Sequence, residues 1–141
     1  VLAATNHPER IDKAVLRTGR IDEMVYIDMP DIEARKSLFA LELSKLPTEG
    51  DIDTTHLSEL TNGYNCSDIS YIVKSAARKK FNETIKSPDG KKQGITQEVL
   101  EEIIATRSPS VSIKSLREYE RVRSEFSPKD KGLKPVTIGF R

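Results

Sequence analysis

The chain has 141 residues, a length that points to one domain with a modest core. Hydrophobic residues make up 36% and charged residues 32%, and 23 Lys+Arg against 22 Asp+Glu leave a net charge of +1, which gives no electrostatic footing to a nucleic-acid or membrane-surface partner. A single cysteine, Cys66, excludes an internal disulfide and a multi-cysteine zinc site and fits a cytosolic setting, and no apolar run approaches the roughly 20 residues of a membrane span.

Residues 1–4, Val-Leu-Ala-Ala, are all apolar and read as a buried strand of a parallel sheet. The run stops at Thr5 and Asn6, and His7 with Pro8 makes a turn. Asp12 is placed to cap a short helix over residues 13–17, which Gly19 ends, with Arg17 and Arg20 on either side of that glycine. Residues 24–30 read as a second strand, rich in β-formers and closed by Pro30. The period then changes. Asp31 can cap a helix running to about Leu46, with Ile32, Leu38, Phe39, Leu43 and Leu46 as its apolar stripe and Pro47 as its stop. A shorter helix over residues 55–61 carries Leu57 and Leu60 inward and ends at Asn62 and Gly63. Asn65, with Asp68 three residues on, makes a relative of the capping box and opens the longest helix, whose inward face is Ile69, Ile72, Val73, Ala76, Ala77, Phe81 and Ile85. Residues 87–94 form an exposed loop. Thr96 begins a helix with Val99, Leu100, Ile103 and Ile104 inward, broken at Pro109 and Ser110. Ser112 opens a last helix carrying Leu116, Tyr119, Val122 and Phe126, and residues 127–141 form a lysine-rich tail.

The predicted architecture is therefore an α/β fragment, two strands of an unfinished sheet, followed by a bundle of about five helices. Two strands cannot bury themselves. The chain also begins without methionine, inside an apolar run. Both lead us to expect a piece of a larger protein whose missing strands lie upstream.

Three places carry residues suited to chemistry. Asn6, at a strand end, offers one acceptor and two donors, and the paired guanidinium groups of Arg17 and Arg20 fork onto phosphate oxygens in a way an ammonium does not. The plain alternatives are an asparagine that starts a turn and an arginine pair that caps a helix C-terminus. Residues 65–68 are the third place, and their plain reading is a good helix N-cap. His7 and His56 are too few and too unaccompanied to suggest a metal. Gly90, Lys91 and Lys92 do not substitute for the phosphate-cradling pattern G-x-x-x-x-G-K-[ST], which the chain lacks, as it lacks an acidic strand end for Mg²⁺.

Ala4-Thr5-Asn6-His7-Pro8 followed by Leu16-Arg17-Thr18-Gly19-Arg20-Ile21-Asp22 resembles the A-T-N-R-P and L-R-P-G-R-F-D pattern of the AAA+ ATPase family, classical clade. Pro30-Asp31 with Arg35 is similar to its P-D-x-x-x-R, residues 61–69 to T-x-G-Y-S-G-A-D-[LI], and residues 108–112 to a P-S-V-S junction. The nearest look is to its valosin-containing-protein-like and katanin/spastin-like branches, over roughly residues 1–126. The resemblance implies the last two strands of a P-loop NTPase sheet over residues 1–30, an all-α helical-bundle lid domain over 31–126, and a tail over 127–141. It implies Asn6 as the sensor of the attacking water or γ-phosphate, Arg17 and Arg20 as arginine fingers supplied in trans, and Cys66 and Ser67 at the adenine pocket, where they replace a Gly-Ala pair. Glu42 falls where many relatives carry histidine or asparagine near the ribose. The implied cofactor is ATP with Mg²⁺, whose ligands lie outside this fragment. The implied partners are a homo-oligomeric ring, a hexamer, and a polypeptide substrate, with no nucleic acid and no membrane span, in the cytoplasm. The implied function couples ATP hydrolysis to protein unfolding or complex remodelling, with the isolated fragment inactive. A non-catalytic helical module used for assembly is the alternative.

Overall fold

A computed structural model describes residues 2–7, 10–12, 14–15, 19–21, 24–87 and 93–126, and these carry five helices: α1 (Ile32–Leu43), α2 (Thr54–Leu60), α3 (Cys66–Lys86), α4 (Gln97–Ala105) and α5 (Ile113–Phe126). The described residues divide into two units, one holding residues 29–111 with α1 to α4 and one holding residues 2–28 and 112–126 with α5.

In the first of these units the starts of α1, α2 and α3 are set by local side-chain caps, whereas Thr96 at the start of α4 makes no such bond. The Asp31 carboxylate accepts the Ala34 N–H at 2.8 Å and opens α1. Asp53 accepts the N–H groups of Thr55 and His56 and opens α2 one residue earlier than the sequence suggests. Asn65 and Asp68 form a complete capping box at α3, Asp68 N–H to Asn65 Oδ1 at 2.8 Å and Asn65 N–H to Asp68 Oδ2 at 3.3 Å. Gly63, at φ +81°, supplies the left-handed turn that reverses the chain between α2 and α3.

The ends of the helices depart from expectation. α1 stops at Leu43, not near Leu46: Leu46 precedes a proline and is pushed out of the helical region, so the chain unwinds early, with Ser44 bonded back to Ala40 and Leu41. Leu46 still packs against the core. Leu60 is exposed rather than inward, because a helix of two turns presents one face and Leu57 occupies it. Phe81 and Ile85, expected in the core, are 64% and 66% exposed. α3 is about 32 Å long at 1.5 Å per residue, against roughly 18 Å for α1 and 14 Å for α4, so its last turns outrun the helices of this unit that could cover them.

Phe39, Leu57, Ile69, Ile72, Val73, Ile95 and Leu100 are almost wholly buried and form the centre of this unit's core. One parallel bridge, Thr48 to Ile95, stitches the segment after α1 to the segment before α4, with Ile95 N–H to Pro47 O and Glu49 N–H to Ile95 O, each at 2.9 Å. Gly94 permits that approach: a Cβ there would lie 2.6 Å from the Thr48 carbonyl carbon. In α4, Val99, Leu100 and Ile104 point inward as expected.

In the other unit, Ser112 Oγ accepts the Ser115 N–H at 3.1 Å at the start of α5, and Val122 is buried. Arg123 pairs with Asp28 at 3.0 Å and lies over the Tyr26 ring. Asp12 caps a turn through the Ala14 and Val15 N–H groups. Neither expected strand forms among the described residues. Leu2 is 99% exposed, and residues 24–27 are 42% to 84% exposed. A strand needs a neighbour for its N–H and C=O groups, and among the described residues 2–4 and 24–30 have no ladder partner. The α/β part of the expected fold is therefore not seen, while the helical part is. The expected helix over 13–17 falls largely outside the described residues, as do the loop at 88–92 and the tail.

Candidate functional site

The exposed first turn of α3 is where the helical unit offers unsatisfied donors. A helix leaves its first N–H groups without intrahelical partners. The capping box takes those of Asn65 and Asp68, and the next ones in sequence belong to Cys66 and Ser67, both exposed, at the positive end of the helix dipole. Such a donor set suits a hydrogen-bond acceptor or an anionic ligand, and Cys66 adds a thiol at the first turn. Glu42 on α1 accepts the Ser70 hydroxyl of α3 at 2.9 Å, which ties the position expected near a ribose to the same helix.

Behind this turn lies a polar cluster that the sequence did not disclose. Asp68 is 2% exposed. Its Oδ2 accepts the Ser110 N–H at 3.1 Å, the Ser110 hydroxyl at 2.9 Å and the Asn65 N–H, and its Oδ1 takes the Arg107 Nη2 at 3.4 Å. Burial alone would raise its pKa, but the Ser110 N–H and hydroxyl, the Asn65 N–H and Arg107 together hold it below the ordinary carboxylate value. The Asn65 amide donates to Ser110 Oγ at 2.9 Å, and the Tyr64 hydroxyl donates to the Arg107 carbonyl at 2.5 Å. Burial, then the nearby Asp68 charge, pushes the Tyr64 hydroxyl up, which keeps it a donor. The Arg107 guanidinium stacks 3.9 Å from the Tyr71 ring centroid.

A second buried charge sits where the chain joins the helical unit. Arg35 is 5% exposed; its Nε and Nη2 donate to the Ser58 carbonyl at 3.2 and 3.1 Å and its Nη1 to the Pro30 carbonyl at 2.8 Å. Burial lowers its pKa, with Asp31 opposing.

Asn6 and Arg20 lie in the other unit. Asn6 is exposed in a bend where the His7 N–H donates to Thr5 Oγ1 at 2.9 Å. Arg20 is exposed, and its Nη1 donates to the Ala14 carbonyl at 2.8 Å, which closes the Asp12 turn. Arg17 lies outside the described residues. Among the described site residues, only Cys66 and Ser67 share one element. Among the described residues no group of three His, Cys, Asp or Glu could hold a metal, and no helix is long and apolar enough to cross a membrane. Asp68 as a hub, and Arg107 with it, escaped the sequence reading. The signal was present in part, as an acidic third residue of a helix and a Ser-Pro-Ser run after the next helix, but nothing in either segment says that they meet.

No family model matches the chain. Over 134 residues, 89% of its length, it is 34% identical to a cell division cycle protein 48 homolog of Archaeoglobus fulgidus, and covers 18% of that protein. It is 33% identical over 120 residues, 85% of the chain, to the ATPase family gene 2 protein homolog A of Homo sapiens, of which it covers 13%. Over 85 residues, 60% of the chain, it is 38% identical to a cell division cycle ATPase of Plasmodium falciparum, of which it covers 7%. The chain thus spans less than a fifth of the length of these curated relatives.

Proposed function

The chain belongs to the AAA+ ATPase family, on its cell-division-cycle-48-like side, and from that premise we propose that it is the C-terminal part of an ATPase module that couples ATP binding and hydrolysis to the unfolding or remodelling of other proteins. The observation that carries this reading is the 34% identity maintained over 134 residues to an archaeal relative of that kind.

In this reading the unit of α1 to α4 is the lid, and the Cys66 and Ser67 backbone at the start of α3 faces the adenine. Asn6 positions the attacking water or the γ-phosphate of its own subunit's nucleotide. Arg17 and Arg20 reach the nucleotide of the neighbouring subunit in a homo-oligomeric ring, a hexamer, where their guanidinium charge meets the phosphoryl oxygens as charge develops. Bound Mg²⁺ neutralises phosphate charge, and no residue assigned here is its ligand. The parent protein works in the cytoplasm on polypeptide substrates.

The test uses the intact parent protein. Arg17→Ala should lower hydrolysis by a factor on the order of 10³, the scale of arginine fingers in other NTPases, while ATP binding is retained. Unchanged turnover in the assembled ring removes the finger assignment. The isolated 141-residue chain should hydrolyse no ATP. The exposed Cys66 side chain, standing where the family has glycine, favours a second reading, a helical module kept for assembly alone. ATP hydrolysis by the intact protein that Arg17→Ala lowers rules that out.

A further inference from the structure

The bonds around Asp68 exceed what a helix start requires. A capping box needs the Asp68 carboxylate only for the Asn65 N–H, and an exposed carboxylate could serve that purpose without loss of hydration. Here the carboxylate is buried, and burial of a charge is tolerated only where further donors replace water. Those donors are the Ser110 N–H and hydroxyl and the Arg107 guanidinium, all from the connection after α4. The Asn65 amide on Ser110 Oγ and the Tyr64 hydroxyl on the Arg107 carbonyl repeat the same linkage one and two residues away from Cys66. Residues 64, 65 and 68 are thus each tied to residues 107–110, and Cys66 and Ser67 lie between them.

We infer that Asp68 is a positioning residue for nucleotide recognition: through Ser110 and Arg107 it holds residues 64–68 against the connection after α4, so that the Cys66 and Ser67 backbone is presented to the base in one orientation. The inference rests on the reading of the α3 N-terminus as the base-facing element. Asp68 itself touches no nucleotide. Together with the Tyr64 and Asn65 bonds to the same connection, it removes freedom from the turn that carries the exposed Cys66 and Ser67.

The experiment uses the intact parent protein, with a fluorescent ATP analogue for binding and steady-state kinetics for turnover. Ser110→Ala removes one bond to the carboxylate and the acceptor for Asn65; Asp68→Asn removes the charge. Each should raise Kd for the analogue and KM for ATP about ten-fold, with kcat at saturating ATP held within about two-fold, the pattern of lost uniform binding. Ser110→Thr, which keeps the hydroxyl, should restore the wild-type values. A purely structural role would lower the melting temperature and the active fraction and leave KM unmoved. Unchanged Kd and KM in Ser110→Ala, or a fall in kcat at constant KM, overturns the inference. Should Asp68→Asn fail to fold, Ser110→Ala decides by itself. A wild-type parent that binds no analogue refutes the proposed function and this inference with it, whereas binding that the variants leave untouched refutes the inference alone.

Discussion

Replacing Arg35 with methionine isolates the worth of a buried guanidinium that has carbonyl oxygens as its hydrogen-bond partners. Methionine keeps most of the aliphatic stem, so packing changes little and the loss is one of donors. The Ser58 carbonyl loses two of them, from Nε and Nη2, and retains from side chains only the Thr61 hydroxyl at 3.4 Å. A buried acceptor left without its partner costs about 1–3 kcal/mol. The Pro30 carbonyl loses Nη1 but is only partly buried, and water recovers some of that bond. Relief of the desolvated guanidinium works the other way, the same effect that lowers its pKa. The balance is a destabilisation of about 2 kcal/mol, which in a helical unit of this size lowers Tm by roughly 8–16 °C. Far-UV circular dichroism melts of wild type, Arg35→Met and Arg35→Lys measure it. Lysine keeps the charge but cannot fork between two carbonyls, so it should fall between the other two. An Arg35→Met melt within about 2 °C of wild type would refute the assignment of Arg35 as the tie between the start of the helical unit and α2.

Asp68 gives the chain an acid-sensitive contribution. Its folded pKa lies below the ordinary value of 3.8, so the unfolded state takes up the proton first; the contribution is present above that value and lost as pH falls through the folded one. The difference in denaturant midpoint between wild type and Asp68→Asn should therefore be largest near neutral pH and narrow on acidification below about pH 4, and a constant difference would contradict the linkage. Gly94→Ala places a Cβ against the Thr48 carbonyl carbon and should cost about 1–3 kcal/mol. Hydrogen exchange should show the Glu49 and Ile95 amides losing protection together, since the same bridge holds both. Unchanged protection would mean that the backbone yields without breaking the bridge.

What was legible in the sequence was local. The cap at Asp31 and the box at Asn65 and Asp68 depend on residues three apart, and they formed as expected. The periodicity of α3 and α4 correctly chose the buried faces of Ile69, Ile72, Val73, Ala76, Val99, Leu100 and Ile104. In α2 Leu60 stayed outside because Leu57 holds the inward face, and the periodicity of α3 failed at Phe81 and Ile85. A stripe says which side of a helix is apolar, not how far a partner helix extends along it. The strands at 2–4 and 24–30 failed to appear for a related reason, because a strand exists only with a neighbour to bond.

The comparison of Asp68 with Arg35 shows where sequence ends. Each belongs to a pattern that the sequence resemblance identified, and their positions in that pattern say nothing of what they hold. Asp68 meets Ser110 at a sequence separation of 42, and Arg35 meets Ser58 at a separation of 23. Sequence by itself determined the caps of α1 and α3, the buried faces of α3 and α4, and the family, because these rest on short-range hydrogen bonds and on the spacing of side chains along one element. Tertiary structure alone decided that two charged side chains would be buried, because burial of a charge depends on donors and acceptors delivered by segments far away in the chain, and only folding brings them to it.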